Sequence, residues 1–130
     1  MKNLTPLEAW TLLQQAPDTL FVDVRMEIES LYVGRPPGVV NVPWYEYPEL
    51  TPDATRFAEA VSREARDKHQ NVLLICRSGQ RTRDAGAALE AAGFDNVAHV
   101  LNGFEGELDD QFRRSTLSGW RFAGLPWEQM

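Results

Sequence analysis

The apolar positions along this chain fall into two kinds of run. Leu20-Phe21-Val22-Asp23-Val24 and Val72-Leu73-Leu74-Ile75 are nearly continuous, the pattern of strands buried on both faces. Val39–Val42 and Val97–Leu101 read as further strands. Between these runs the spacing changes to that of helices. Thr5-Pro6-Leu7-Glu8 has the form of a capping box with proline at the first helical position, and Leu7, Trp10 and Leu13 (or Leu12) are expected to face the core. Pro17-Asp18 ends that helix. Thr51-Pro52-Asp53 is expected to open a second helix, with proline at its first position. Its apolar stripe is Ala54, Phe57, Ala58, Val61 and Ala65, and Arg63, Arg66 and Lys68 lie toward its end, where cations suit the dipole. A third helix carries Ala85, Ala88, Leu89 and Ala92 on one face and stops at Gly93. Residues 25–37 read as irregular and Gly103–Asp110 as a short helical turn. The tail after Ser115 holds Trp120, Phe122, Leu125 and Trp127, too apolar to stay in water, so it should fold back on the domain. Strands alternating with helices predict an α/β fold, a mainly parallel sheet with helices on both faces and right-handed crossovers.

Length and charge narrow the functional classes. The chain has 130 residues, which suits one domain spanning 1–130. Its net charge of −6 argues against nucleic acid or an anionic membrane as partner. No apolar signal core or run of transmembrane length is visible, so the cytoplasm is the expected location. A single cysteine rules out an internal disulfide and a resolving thiol within the chain. One cysteine with the separated His69 and His99 makes no zinc site, and neither metal nor cofactor is expected.

The chemistry concentrates in one stretch. Val72–Ile75 runs into Cys76-Arg77-Ser78-Gly79-Gln80-Arg81-Thr82 and then into the third helix. A strand, a tight glycine-containing loop and a helix start gather backbone N–H groups around an anion. Such a setting, with Arg77 and Arg81 nearby, favours a reactive thiolate over a buried structural cysteine. Gly79 lets the loop turn where a side chain would clash. A protease-type pair of Cys76 with His99 matches no known order or spacing, and His99 reads as a half-buried strand residue. Asp23, deep in an apolar strand, needs a partner; it either tethers Arg25 and the neighbouring loop or orients the site. The aromatic segment Trp44-Tyr45-Glu46-Tyr47-Pro48 reads as a cap on the core.

Cys-x-Ser-Gly-x-Arg after an apolar strand, followed by an alanine-rich helix ending at Gly93-Phe94, resembles the active-site loop of rhodanese-like sulfurtransferases. Val22-Asp23-Val24-Arg25 with Glu29 is similar to that family's Asp-x-Arg…Glu stretch. The segment Gly34 to Pro43, Leu101-Asn102-Gly103-Phe104 and the closing Gly119 to Pro126 are similar to three further family blocks. The resemblance implies the three-layer rhodanese-like fold and a sulfurtransferase using Cys76 as nucleophile. Arg81 is implied as a second catalytic group, and Arg77, Ser78, Gly79 and Gln80 as the donor-binding loop. Asp23, Arg25 and Arg35 are implied in support. The implied partners are a small anionic sulfur donor such as thiosulfate and a thiol or protein acceptor. Arg35 stands where the family usually has histidine, and Asn102 where it has the first glycine of a Gly-Gly turn; asparagine tolerates a left-handed backbone better than most residues. Three alternatives remain: a non-catalytic binding module, a carrier passing its persulfide to one protein, and phosphatase or arsenate reductase chemistry. The last normally uses a loop one residue longer than Cys76–Arg81.

Overall fold

The computed structural model describes residues 1–130. Five parallel strands form one sheet in the order β1-β5-β4-β2-β3. The elements in chain order are β1 (Lys2–Leu4), α1 (Pro6–Gln15), β2 (Leu20–Asp23), β3 (Val40–Asn41), α2 (Ala54–Glu64), β4 (Val72–Ile75), α3 (Arg81–Ala91) and β5 (Val97–Val100). The buried runs around Val22 and Leu74 become the central pair β2 and β4, with Leu20 beside Val72 and Asp23 beside Ile75.

Alternation along the strands supplies two cores, as a sheet covered on both faces requires. Leu20, Val22, Val72, Leu74, Cys76 and Val97 face α2 and α3 and meet Phe57, Val61, Ala85 and Leu89. Phe21, Leu73, Ile75, Ala98 and Val100 face the other way, onto Ala9, Phe104, Trp120 and Leu125. The tail does fold back. Trp120 is fully buried, 5.6 Å from the Phe21 ring and 6.0 Å from that of Trp10, and its Nε1–H donates to the Pro126 carbonyl. Trp44 is buried edge-on to Phe57, as expected of a core cap, but Tyr47 of the same aromatic segment is 76 % exposed and caps nothing.

Several local expectations are corrected. β1 is absent from the sequence reading: Lys2-Asn3-Leu4 has no apolar run, because an edge strand needs only one covered side. The capping box is present, with Thr5 Oγ1 accepting from Glu8 N–H and Glu8 Oε1 from Thr5 N–H. However, Leu7 is exposed and Ala9 occupies the buried position of α1. α2 starts later than expected. Asp53 is its cap, accepting from Arg56 N–H, and Thr51 and Pro52 precede the helix. Within the irregular stretch, Glu29–Val33 forms one wide π-type turn. Residues after β5 form successive hydrogen-bonded turns in place of a helix. No helix is long and apolar enough to cross a membrane.

The chain runs outward from β2 to β3, returns past β2 to β4 and continues to β5. Strand order therefore reverses between β2 and β4. In open parallel sheets that reversal opens a crevice at the carboxyl ends of the two strands. Cys76 lies at the end of β4, and Asp23-Val24-Arg25 at the end of β2.

Candidate active site at the end of β4

Cys76 follows directly on β4 and is 1 % exposed. Its sulfur accepts the Gly79 N–H at 3.1 Å, so the chain curls back over it within three residues. Gly79 makes that curl with φ of +98°, and a Cβ there would lie 3.2 Å from the Asn102 backbone nitrogen. The N–H groups of Arg77, Ser78, Gln80, Arg81 and Thr82 find no acceptor elsewhere in the chain. Those of Arg81 and Thr82 belong to the first turn of α3, where an α-helix has no internal partners for its donors. Gln80, the cap residue, makes no side-chain cap. The turn from Cys76 to Arg81 is thus a ring of free backbone donors with a sulfur at its base.

A second turn supports the first from beneath. Phe104 N–H donates to the Cys76 carbonyl, and Glu105 and Gly106 N–H donate to the Arg77 carbonyl. This close approach needs Gly103, since a Cβ there would lie 2.4 Å from the Cys76 oxygen and 2.6 Å from Arg77 backbone atoms. Asn102 takes a left-handed conformation at φ +64°, as its substitution for glycine suggested.

The expected site residues separate into distinct settings. Arg77 is exposed, and its guanidinium makes no ion pair or hydrogen bond. Ser78 and Gln80 line a cavity of about 290 Å³ on the flank of the turn, with Arg83, His99 and Arg114. Arg81 is not free. Both arms of its guanidinium are held by Glu29, at 2.6 and 2.9 Å, and it lies 5.2 Å from the Tyr45 ring centre. Burial alone would raise the Glu29 carboxyl, but hydrogen bonding and the charge of Arg81 hold it below its ordinary value of 4.5. The wide turn at 29–33 brings Glu29 here, and its carboxylate also accepts from Met26 N–H.

Asp23 and Arg25 form a fully buried, two-armed pair at 2.9 and 2.7 Å. Arg25 also donates to the Gly34 carbonyl and stacks 4.8 Å from the Phe104 ring centre. Of the two readings of Asp23, this is the tether. Arg35 is tied to the chain end: its backbone pairs with Glu128, its guanidinium lies 3.5 Å from the Glu128 carboxylate, and it reaches the Ser30 carbonyl. Two participants escaped the sequence reading. Asn41 bonds the carbonyls of Asp23 and Arg25 through its amide. Thr82 places its hydroxyl 3.7 Å from the Cys76 sulfur. Glu29 had been visible only as part of a motif.

The Glu29–Arg81 clasp has a pH signature. Because Glu29 titrates lower in the folded protein than in the unfolded one, its contribution is complete above about pH 4.5 and is lost as pH falls through the folded value. Glu29→Gln is expected to lower stability by about 1–3 kcal/mol at neutral pH, between exposed and buried pairs. The difference should shrink in acid; urea midpoints measured across pH check both points.

Residues 5–107 match the rhodanese-like domain family, and the chain belongs to it. Among solved structures, Rv0390 from M. tuberculosis superimposes over the whole chain and 98 % of its own length, with a TM-score of 0.85 and 37 % identity. A thiosulfate sulfurtransferase from Pseudomonas aeruginosa shares the fold at TM-score 0.72 and 24 % identity, the chain covering 20 % of that protein. A tRNA uridine(34) hydroxylase of Yersinia enterocolitica is 37 % identical over 87 residues, which are 67 % of this chain and 23 % of that enzyme.

Proposed function

We propose that this protein is a sulfurtransferase that carries a sulfane sulfur on Cys76. The observation that supports this most is the turn itself: one buried sulfur beneath a short ring of uncommitted backbone donors. Membership of the rhodanese-like family supports it independently. The Cys76 thiolate attacks the outer sulfur of thiosulfate or of a persulfide. The S–S bond of the donor breaks, and sulfite or a thiolate leaves with the bonding pair. Cys76 then holds a persulfide whose terminal sulfur the N–H groups of the turn stabilise. An acceptor, either a small thiol or a protein, attacks that sulfur and returns the thiolate, completing covalent catalysis in two halves. With one cysteine in the chain, the acceptor must come from outside. A reducing compartment such as the cytoplasm would keep the thiol ready.

Four residues separate Cys76 from Arg81. A phosphate or arsenate cradle one residue longer would gain roughly 3.3–3.6 Å of chain. The shorter ring suits a single sulfur better than a tetrahedral oxyanion. With Arg81 committed to Glu29, it serves by holding the turn, and Arg77 is the charge that meets an anionic donor.

Steady-state transfer from thiosulfate to cyanide, read as thiocyanate, tests the reading. Turnover is expected, and absence of turnover with thiosulfate, polysulfide and persulfide donors alike would overturn it. Arg77→Ala is expected to raise the KM for thiosulfate by about three- to tenfold at low salt, the scale of one exposed charge pair, with kcat little changed. An unchanged KM would remove Arg77 from donor binding.

A further inference from the structure

Behind the cysteine runs a line of polar side chains, buried at Thr82 and His99 and reaching the surface at Asn3, that sulfur transfer as written does not use. Thr82 Oγ1, 3.7 Å from the Cys76 sulfur, is also 2.7 Å from His99 Nδ1. His99 Nε2 lies 2.8 Å from Asn3 Oδ1. His99 is only 2 % exposed and Thr82 is fully buried, which corrects the expectation of a half-buried histidine. The fold assembles this line from three elements. Asn3 on β1 is the register partner of His99 on β5. Thr82 sits in the first turn of α3, which packs on the sheet face that carries Cys76.

The hydrogen positions follow from chemistry. The Asn3 carbonyl oxygen only accepts, so His99 Nε2 carries a proton and Nδ1 presents a lone pair. The Thr82 hydroxyl has one hydrogen and two neighbouring acceptors, Nδ1 at 2.7 Å and the Gly79 carbonyl at 3.3 Å. The shorter bond to Nδ1 is the stronger, and it leaves an Oγ1 lone pair to face the sulfur.

We propose that Thr82 and His99 form a proton relay that accepts the proton of the Cys76 thiol. As the S–H bond breaks, its proton passes to Thr82 Oγ1. The hydroxyl's own proton moves to His99 Nδ1 in the same step. The products are a thiolate with a hydroxyl donor aimed at it and an imidazolium held between Thr82 and Asn3. No electrons change hands, and the reverse path returns the proton. Thr82 meets the reacting sulfur itself, whereas His99 acts only through Thr82 and is a positioning residue. The relay rests on Cys76 being the nucleophile.

The surroundings suit a resting base. Burial, then the charges of Arg83 and the N-terminal ammonium, hold His99 below its ordinary value of 6.5, so it is neutral at neutral pH. Arg83 comes from α3, and the N-terminal group of Met1, just before β1, is paired with Glu90 at 2.8 Å. Glu107 and Arg114 share the cavity onto which His99 opens. The thiolate formed at the far end of the relay offsets those repulsions at the moment the imidazolium appears.

The test is an ultraviolet titration of thiolate absorbance on the reduced full chain, with Cys76→Ser as blank. Thr82→Val, which keeps the shape and deletes the hydroxyl, is expected to give about tenfold less thiolate at neutral pH. Thr82→Ser should recover the wild-type curve to within about twofold, and His99→Gln should resemble Thr82→Val. A Thr82→Val curve that overlies the wild type, or a Thr82→Ser curve that overlies Thr82→Val, would overturn the relay. If Thr82→Val does not fold, the comparison of Thr82→Ser with His99→Gln decides: equal curves overturn it and separate curves support it. The titration needs no sulfur donor, so a failed relay and failed sulfur transfer are told apart.

Discussion

Cys76→Ser is expected to abolish sulfur transfer while leaving the fold in place. The two side chains differ by one atom at a site that is 1 % exposed, and a serine oxygen still accepts the Gly79 N–H. What is lost is the nucleophile. A serine hydroxyl is not ionised at neutral pH and no strong base touches it directly, so the covalent route closes. The expected fall in turnover is at least about a thousandfold, the scale on which loss of a covalent nucleophile registers. A matching circular dichroism spectrum, with stability within about 1–2 kcal/mol of the parent, would show that the loss is chemical. Residual turnover above about a tenth of wild type would instead point to a non-covalent role for the turn.

The second large effect concerns stability. Asp23→Ala would leave the Arg25 guanidinium charged, fully buried and stripped of its carboxylate. Its remaining contacts are the Gly34 carbonyl and the Phe104 ring, neither of which carries a negative charge. Breaking one side of a buried pair costs about 3–5 kcal/mol. Against a total of about 5–15 kcal/mol for an ordinary domain, that is a severe loss. For a chain of this size it corresponds to a drop of roughly 10–20 °C in the unfolding temperature. Replacing both partners by apolar residues should recover much of it, because the cost lies in the orphaned charge. Calorimetry on the single and double variants checks both statements. A single variant melting within about 3 °C of wild type would mean that water reaches Arg25 in the folded protein.

The residues show why some features were legible in the sequence and others were not. β2 and β4 announced themselves because both faces are covered, so every position but Asp23, which is paired with Arg25, is apolar. The turn from Cys76 to Arg81 was legible because its parts are contiguous: a strand end, a glycine, a helix start. The tail was legible through Trp120 and Leu125, which have no place in water. β1 was silent, since an edge strand can be built from Lys2-Asn3-Leu4 without an apolar pattern. The state of Arg81 was hidden for a different reason. Its partner Glu29 stands 52 residues away, and only the wide turn at 29–33 brings the two together. The line from Cys76 to Asn3 was hidden likewise. It crosses β4, α3, β5 and β1, and sequence spacing carries no trace of it. Local chemistry was readable, and the ion pairs that join distant segments were not.

The central claim is that Cys76 accepts a sulfane sulfur. Intact-mass measurement after incubation with thiosulfate, and separately with a persulfide donor, tests it most directly. The expected result is a gain of one sulfur atom on the wild type and none on Cys76→Ser. That gain should be reversed by cyanide as thiocyanate appears. If neither donor adds sulfur to a folded wild-type protein with a free thiol, Cys76 is not a sulfur carrier and the account is wrong.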